Sequence, residues 1–151
     1  MKPALLDVNF LVEMLDPAHP NHGDAHNWFE KNARFGWATS PITINGCIRV
    51  MCNPAYKTVD ARPEEVVQKL RTATGQSNHR FWADDINLLD AATIRPEMLG
   101  GHKHVTDAAL LAVAVRNDGR LATFDRSIPL KAAVGARADQ LAVIGGAEVA
   151  D

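Results

Sequence analysis

The sequence predicts an α/β domain built on a central parallel sheet of four to five strands flanked by helices. Two observations carry that expectation. Short apolar runs of strand length (residues 4–8, 35–39 and 121–124) alternate with segments of helical periodicity, and such alternation favours a parallel sheet covered on both faces. The chain has 151 residues and is 46% hydrophobic, enough for one full core and too short for two, so residues 1–151 read as a single domain without internal repeats or linkers.

Residues 4–8 form the first strand, and NFLVEML follows as a helix that opens on Asn9, a residue suited to capping. DPAHPNHGD, with two prolines and a glycine, reads as a loop, HNWFEKNA as a helix and FGWAT as a second strand. SPITINGCIRVM restarts a helix with Ser40 as cap and Pro41 in its first turn, where the missing N–H costs nothing. A loop then leads to a helix whose apolar positions are Val66, Val67 and Leu70, ending near Gly75, and HRFWADDINLL is a weaker strand and turn. From Thr106 the signal sharpens into an Ala- and Leu-rich helix, the turn NDGR, the strand LATF, a short segment SIPLKAAV and a last strand LAVIG.

Bulk charge decides little. A net charge of −2 argues against a basic coat, although sixteen Lys and Arg leave room for a local nucleic-acid patch. Cys47 and Cys52 fall about 140° apart on one helix, which is poor bridge geometry and points to free thiols in a reducing compartment. No segment reaches the ~20 apolar residues that span a bilayer, so a cytoplasmic protein is expected.

Chemistry concentrates on three aspartates, Asp7 after PALL, Asp107 in HVTDAALL and Asp125 after RLATF. Each stands where a predicted strand ends or a predicted helix begins, and in open parallel sheets those positions share the carboxyl rim where ligands bind. A single such aspartate is more often a turn or cap residue, but three together repel one another unless a hard cation such as Mg²⁺ lies between them. His19, His22 and His26 form a rival zinc set, but they read first as a polar loop with no cysteine nearby; His102 and His104, another, read first as facing solvent or RNA. Asp84 and Asp85 read as a solvated turn, and Trp28, Trp37 and Trp82 as core.

Five blocks then point to a family. LLDVNFLVEMLDP, GWATSPIT with the following NG, IRVM and NPAY, FWADDINLLD, HKHVTDAALLAVAV and GRLATFDRSI resemble, in order and over nearly the whole chain, the PIN-domain ribonuclease toxins of the VapC type. The resemblance implies a PIN-like fold, Mg²⁺- or Mn²⁺-dependent endoribonuclease activity on RNA, a homodimer and neutralisation by a small cognate antitoxin. By it Asp7, Asp107 and Asp125 match the metal ligands, Asn9 and Thr123 match polar residues that support them, and Arg126 is positioned to approach the RNA backbone.

One position departs from the pattern. Where the resemblance leads to a glutamate in a T-E-N-G stretch, this chain has Thr43, Ile44, Asn45 and Gly46. Ile44 is thus expected to mark a missing acid, pointing at the aspartates from the first turn of its helix and impairing catalysis. Periodicity reads the same residue as one of a core stripe with Ile48 and Met51. The alternative function is a PIN module that binds RNA or antitoxin without cutting. A phospho-acceptor signalling domain is disfavoured, because Asp125 and Arg126 follow LATF where that chemistry needs a lysine.

Overall fold

A computed structural model describes residues 1–56 and 58–145. Its sheet has five parallel strands, β1 (Ala4–Leu6), β2 (Trp37–Thr39), β3 (His79–Phe81), β4 (Arg120–Thr123) and β5 (Leu141–Val143), in the order β3-β2-β1-β4-β5. Five α-helices accompany them: α1 (Val8–Leu15), α2 (His22–Asn32), α3 (Pro41–Cys52), α4 (Pro63–Thr74) and α5 (Val105–Arg116). The order reverses at β1, whose neighbours are β2 on one side and β4 on the other, so a crevice opens beyond the carboxyl ends of β1 and β4.

Alternation along the strands sorts the core into two layers. Leu6 and Trp37 pack with Phe10, Leu11, Met14, Met51, Val66 and Leu70 beneath the first four helices. Leu5, Ala38 and Leu121 face the other way, onto Leu110 and Leu111 of α5, Ile94 and Ile128. Helix α5 is buried almost all round, which explains its Ala- and Leu-rich composition. Trp37 and Trp82 are buried, and Trp28 packs edge-on against Phe10 with ring centroids 5.4 Å apart.

Several boundaries differ from the sequence expectation. The first strand stops at Leu6 because Asp7, not Asn9, caps α1, its carboxylate accepting the Val8 N–H at 2.7 Å. Helix α2 begins at His22, inside the expected loop. Phe35 lies in a short turn, and Gly36 at φ 95° redirects the chain into β2, a conformation that favours glycine. The start of α3 is as expected: Ser40 and Thr43 form a reciprocal capping box with Pro41 in the first turn.

Candidate active site

Asp7 follows β1 directly, is 4% exposed, and sits on the rim at the crevice. Its Oδ1 accepts from the Val8 amide, and its Oδ2 accepts from the Thr123 hydroxyl at 2.7 Å. Thr123, the last residue of β4, in turn accepts from the Asn9 amide at 3.2 Å and from the Asp125 N–H at 3.0 Å. Asn9 completes the link by accepting the Phe124 N–H at 3.1 Å. Helix α1 and the end of β4 are thereby locked together through side chains 114 to 116 positions apart.

Asp107 reaches the same corner from the first turn of α5. Its Oδ2 lies 3.5 Å from Nδ1 of His104, which is half-buried against this carboxylate, whereas His102 is exposed. Asp125 folds back on its own loop, where Oδ1 accepts from both the backbone and the hydroxyl of Ser127, at 2.8 and 2.7 Å. Arg126 is exposed and forms no ion pair among the described residues.

Electrostatics separate the three acids. Burial pushes Asp7 up to about 6, against the hydrogen bonds from Thr123 and Val8, and the charges of Asp107 and Asp125 push in the same direction. Asp107 is raised by burial and then by the charge of Asp125, with His104 opposing. Asp125 is lowered by its bonds to Ser127. Two acids raised by desolvation and by a neighbouring carboxylate form, with Asp125, a donor set suited to a hard divalent cation. Among the described residues no three His, Cys, Asp or Glu side chains stand in a ready-made cage. Asp125 is close enough to Asp107 for its charge to raise it, while its Oδ1 is held by Ser127.

Ile44 does not stand with the aspartates. It packs half-buried against the first core layer, near Ile48 and the buried Met51, as periodicity alone had read it. The α3 residue that approaches Asp7's neighbour is Gly46, where an added Cβ would lie 2.6 Å from Val8 Cγ2, and Ile44 is about 160° around the helix from it. Ile42, Asn45, Gly46 and Arg49 line a cavity with Val8 and Thr106, and Ile44 is absent from its wall.

A second cavity, of about 380 Å³, runs from Asp7 and Asp107 along α1 to Glu13, His19 and Tyr56. Glu13 is not singled out by its sequence pattern; the one signal for it is the i, i+4 spacing from Asn9 that puts both on one helix face. The other rival sites dissolve. His22 Nδ1 bonds to the Glu13 carbonyl and His26 Nε2 to the Met14 carbonyl, so these rings serve the end of α1 and form no zinc set among the described residues. Asp84 is tied down by the Ile42 N–H at 2.7 Å, at the start of α3, so it is not a merely solvated residue, whereas Asp85 is exposed and pairs at the surface with Arg116 at 3.1 Å. Cys47 and Cys52 are free thiols.

Residues 4–134 match the family profile described as PIN domain. Among curated proteins the chain is 41% identical to Ribonuclease VapC44 of Mycobacterium tuberculosis, over 93% of this chain and 99% of that protein. It is 37% identical to Ribonuclease VapC39 of the same organism, over 87% and 95%. Among solved structures, M. tuberculosis VapC20, described as a Sarcin-Ricin loop cleaving toxin, superposes with a TM-score of 0.56 at 14% identity, over 78% of this chain and 85% of that one. VapBC2 from Rickettsia felis, bound to a DNA fragment from its promoter, gives 0.54 at 16%, over 82% and 88%. At those identities the structural likeness speaks for the fold.

Proposed function

The chain belongs to the PIN-domain family, with the VapC-type ribonuclease toxins, and from that premise we propose that it is a divalent-metal-dependent endoribonuclease whose active centre is Asp7, Asp107 and Asp125. The observation that supports the reading is the upward shift of Asp7 and Asp107 at the β1/β4 crevice, each raised first by burial and then by the charge of neighbouring carboxylates, Asp107 and Asp125 for the one and Asp125 for the other. Mg²⁺ or Mn²⁺ is the cofactor these oxygen donors suit. When bound, such an ion polarises the scissile phosphate and lowers the pKa of an attacking water.

The protein's own groups do the positioning. The Thr123 hydroxyl and Val8 amide hold Asp7 in one orientation, with Asn9 fixing Thr123 in turn. His104 beside Asp107 favours its ionised form. Arg126, exposed next to Asp125, is placed for an RNA phosphate. Ile44 is read as a packing residue, so the chain is proposed to cut RNA as it stands.

The partners proposed are RNA, a small cognate antitoxin and a second copy of this chain. No helix among the described residues is long and apolar enough to cross a membrane, and the two free thiols suit a reducing compartment such as the cytoplasm. The test is cleavage of structured RNA by the purified chain with Mg²⁺ or Mn²⁺, with EDTA, and with Asp7→Asn. Cleavage abolished by both changes supports the reading. RNA or antitoxin binding with no metal-stimulated cleavage would replace it with a non-cutting module.

A further inference from the structure

Glu13 is an uncommon residue for a helix interior facing a core. It is 7% exposed, yet it lines the cavity that begins at Asp7 and Asp107. Its Oε1 accepts from the Asn21 amide at 3.2 Å and lies 3.6 Å from His19 Nε2. Its Oε2 is buried without any hydrogen-bond partner. A buried carboxylate oxygen left unpaired is costly unless something else satisfies it, and nothing in the fold of the described residues does.

The surroundings define what would. Six residues along α1 place Glu13 about 9 Å from Asp7 along the helix axis, beside the reacting phosphate and not at it. Tyr56 forms another wall, its hydroxyl donating to the buried Asp16 at 2.6 Å so that the ring is held in place. Thr58 also donates to Asp16, fixing the segment after α3 to the end of α1. The cavity volume of about 380 Å³ falls within the range of small-ligand pockets. A fixed aromatic wall next to an acceptor-only group is the arrangement that takes an unstacked base, with the ring giving contact area and the carboxylate reading donors.

We propose that Glu13 is a specificity-determining residue that reads a guanine one nucleotide from the scissile phosphate. This inference rests on the ribonuclease reading. Guanine is the base whose pairing edge carries two adjacent donors, N1–H and the N2 amino group: Oε2 is free to accept one, and Oε1 can accept the other beside its bond from Asn21. Adenine and cytosine set one donor and one acceptor against it. Uracil sets two carbonyl acceptors around its single donor, so it is the base most strongly rejected.

Two measurements decide it. The first incubates a randomised single-stranded RNA library with Mg²⁺ and sequences the cut ends, for the chain as given, Glu13→Gln and Glu13→Ala. Guanine should be enriched about tenfold at one position beside the cut, and both variants should lose that enrichment while retaining metal-dependent cleavage. An unchanged base profile in both variants, or enrichment of another base, overturns the assignment of Glu13. The second measures fluorescence anisotropy of UUGUU, UUIUU (inosine lacks the N2 amino group) and UUUUU on Asp125→Asn and on Asp125→Asn combined with Glu13→Gln. Affinity should fall in that order on the first protein, and the gap should close to about twofold or less on the second. Equal affinities on the first protein overturn the proposal without involving catalysis. Absence of cleavage by any protein, with the guanine preference intact in binding, instead counts against the ribonuclease reading alone.

Discussion

Asp7 and Asp125 follow neighbouring parallel strands, and the charge of Asp125 reaches Asp7, but their environments drive them in opposite directions. Asp7 is enclosed, and burial outweighs two good hydrogen bonds to push it up to about 6. Asp125 is half-buried, and two bonds from Ser127 suffice to hold it low. The difference shows that hydrogen bonding sets the protonation state only where water still shares the load; deeper in the crevice desolvation decides, and a cation becomes the natural counterweight.

The largest test of that contrast is Asp7→Asn. Cleavage should fall at least about 10³-fold in initial rate with Mg²⁺, since a ligand to the reacting centre is lost. In EDTA the same change should stabilise the chain at neutral pH. Asp7 is raised from an ordinary value of 3.8 to about 6, so the folded state binds more protons than the unfolded state between those values. The stability contributed by its protonated form is therefore full below pH about 4 and lost as pH rises through about 6, an effect on the order of 3 kcal/mol. Urea unfolding of the two proteins from pH 4 to 7.5 should diverge by that amount, with the native chain losing ground as pH rises. Parallel curves would place Asp7 outside the buried, charge-crowded setting described for it.

Thr123→Val comes next. Its hydroxyl donates to Asp7 and accepts from Asn9 and the Asp125 amide, so its loss unpairs three groups at once. Stability should fall by about 1–3 kcal/mol and cleavage by about 10- to 100-fold, read by urea midpoint and initial rate. Ile44→Glu should cost about 1–3 kcal/mol by putting a carboxyl against the core, with no gain in cleavage. A 10²-fold rise in rate would reinstate position 44 as a vacated acid. The smallest effect belongs to Ser127→Ala, which removes one of two bonds to Asp125. The acid limb of the rate profile should move upward in pH while the rate at neutral pH changes by about threefold or less.

What could be read from the chain alone follows a physical line. Ser40 and Pro41 announced α3 because capping is local chemistry written in adjacent residues, and the three aspartates were found on one rim because a parallel sheet sends every strand end to the same edge. The cap at Asp7 was misassigned to Asn9, since two polar residues two apart compete for one role and the Asn9 side chain is claimed by Thr123 and Phe124, far along the chain. The same is true of Asp84, whose partner is the amide of Ile42. Glu13 escaped notice because burial of a charge in a cavity depends on helices that pattern alone does not dock. The orientation of Ile44 was legible in periodicity and was overridden by the expected motif.

The position of β1 at the centre of the sheet has a consequence for synthesis. Asp7 is made well before its partners Thr123 and Asp125, which lie on and after β4, the strand that pairs with β1 through Leu6 and Ala122. At about 5–20 residues per second, on the order of ten seconds separate the first carboxylate from the last, and the strand that organises them cannot find its central neighbour until β4 has emerged. A chain cut short before β4 therefore carries Asp7 and Asp107 without Thr123, Asp125 or the strand that joins them, so the acidic rim is assembled as one late event and not acid by acid.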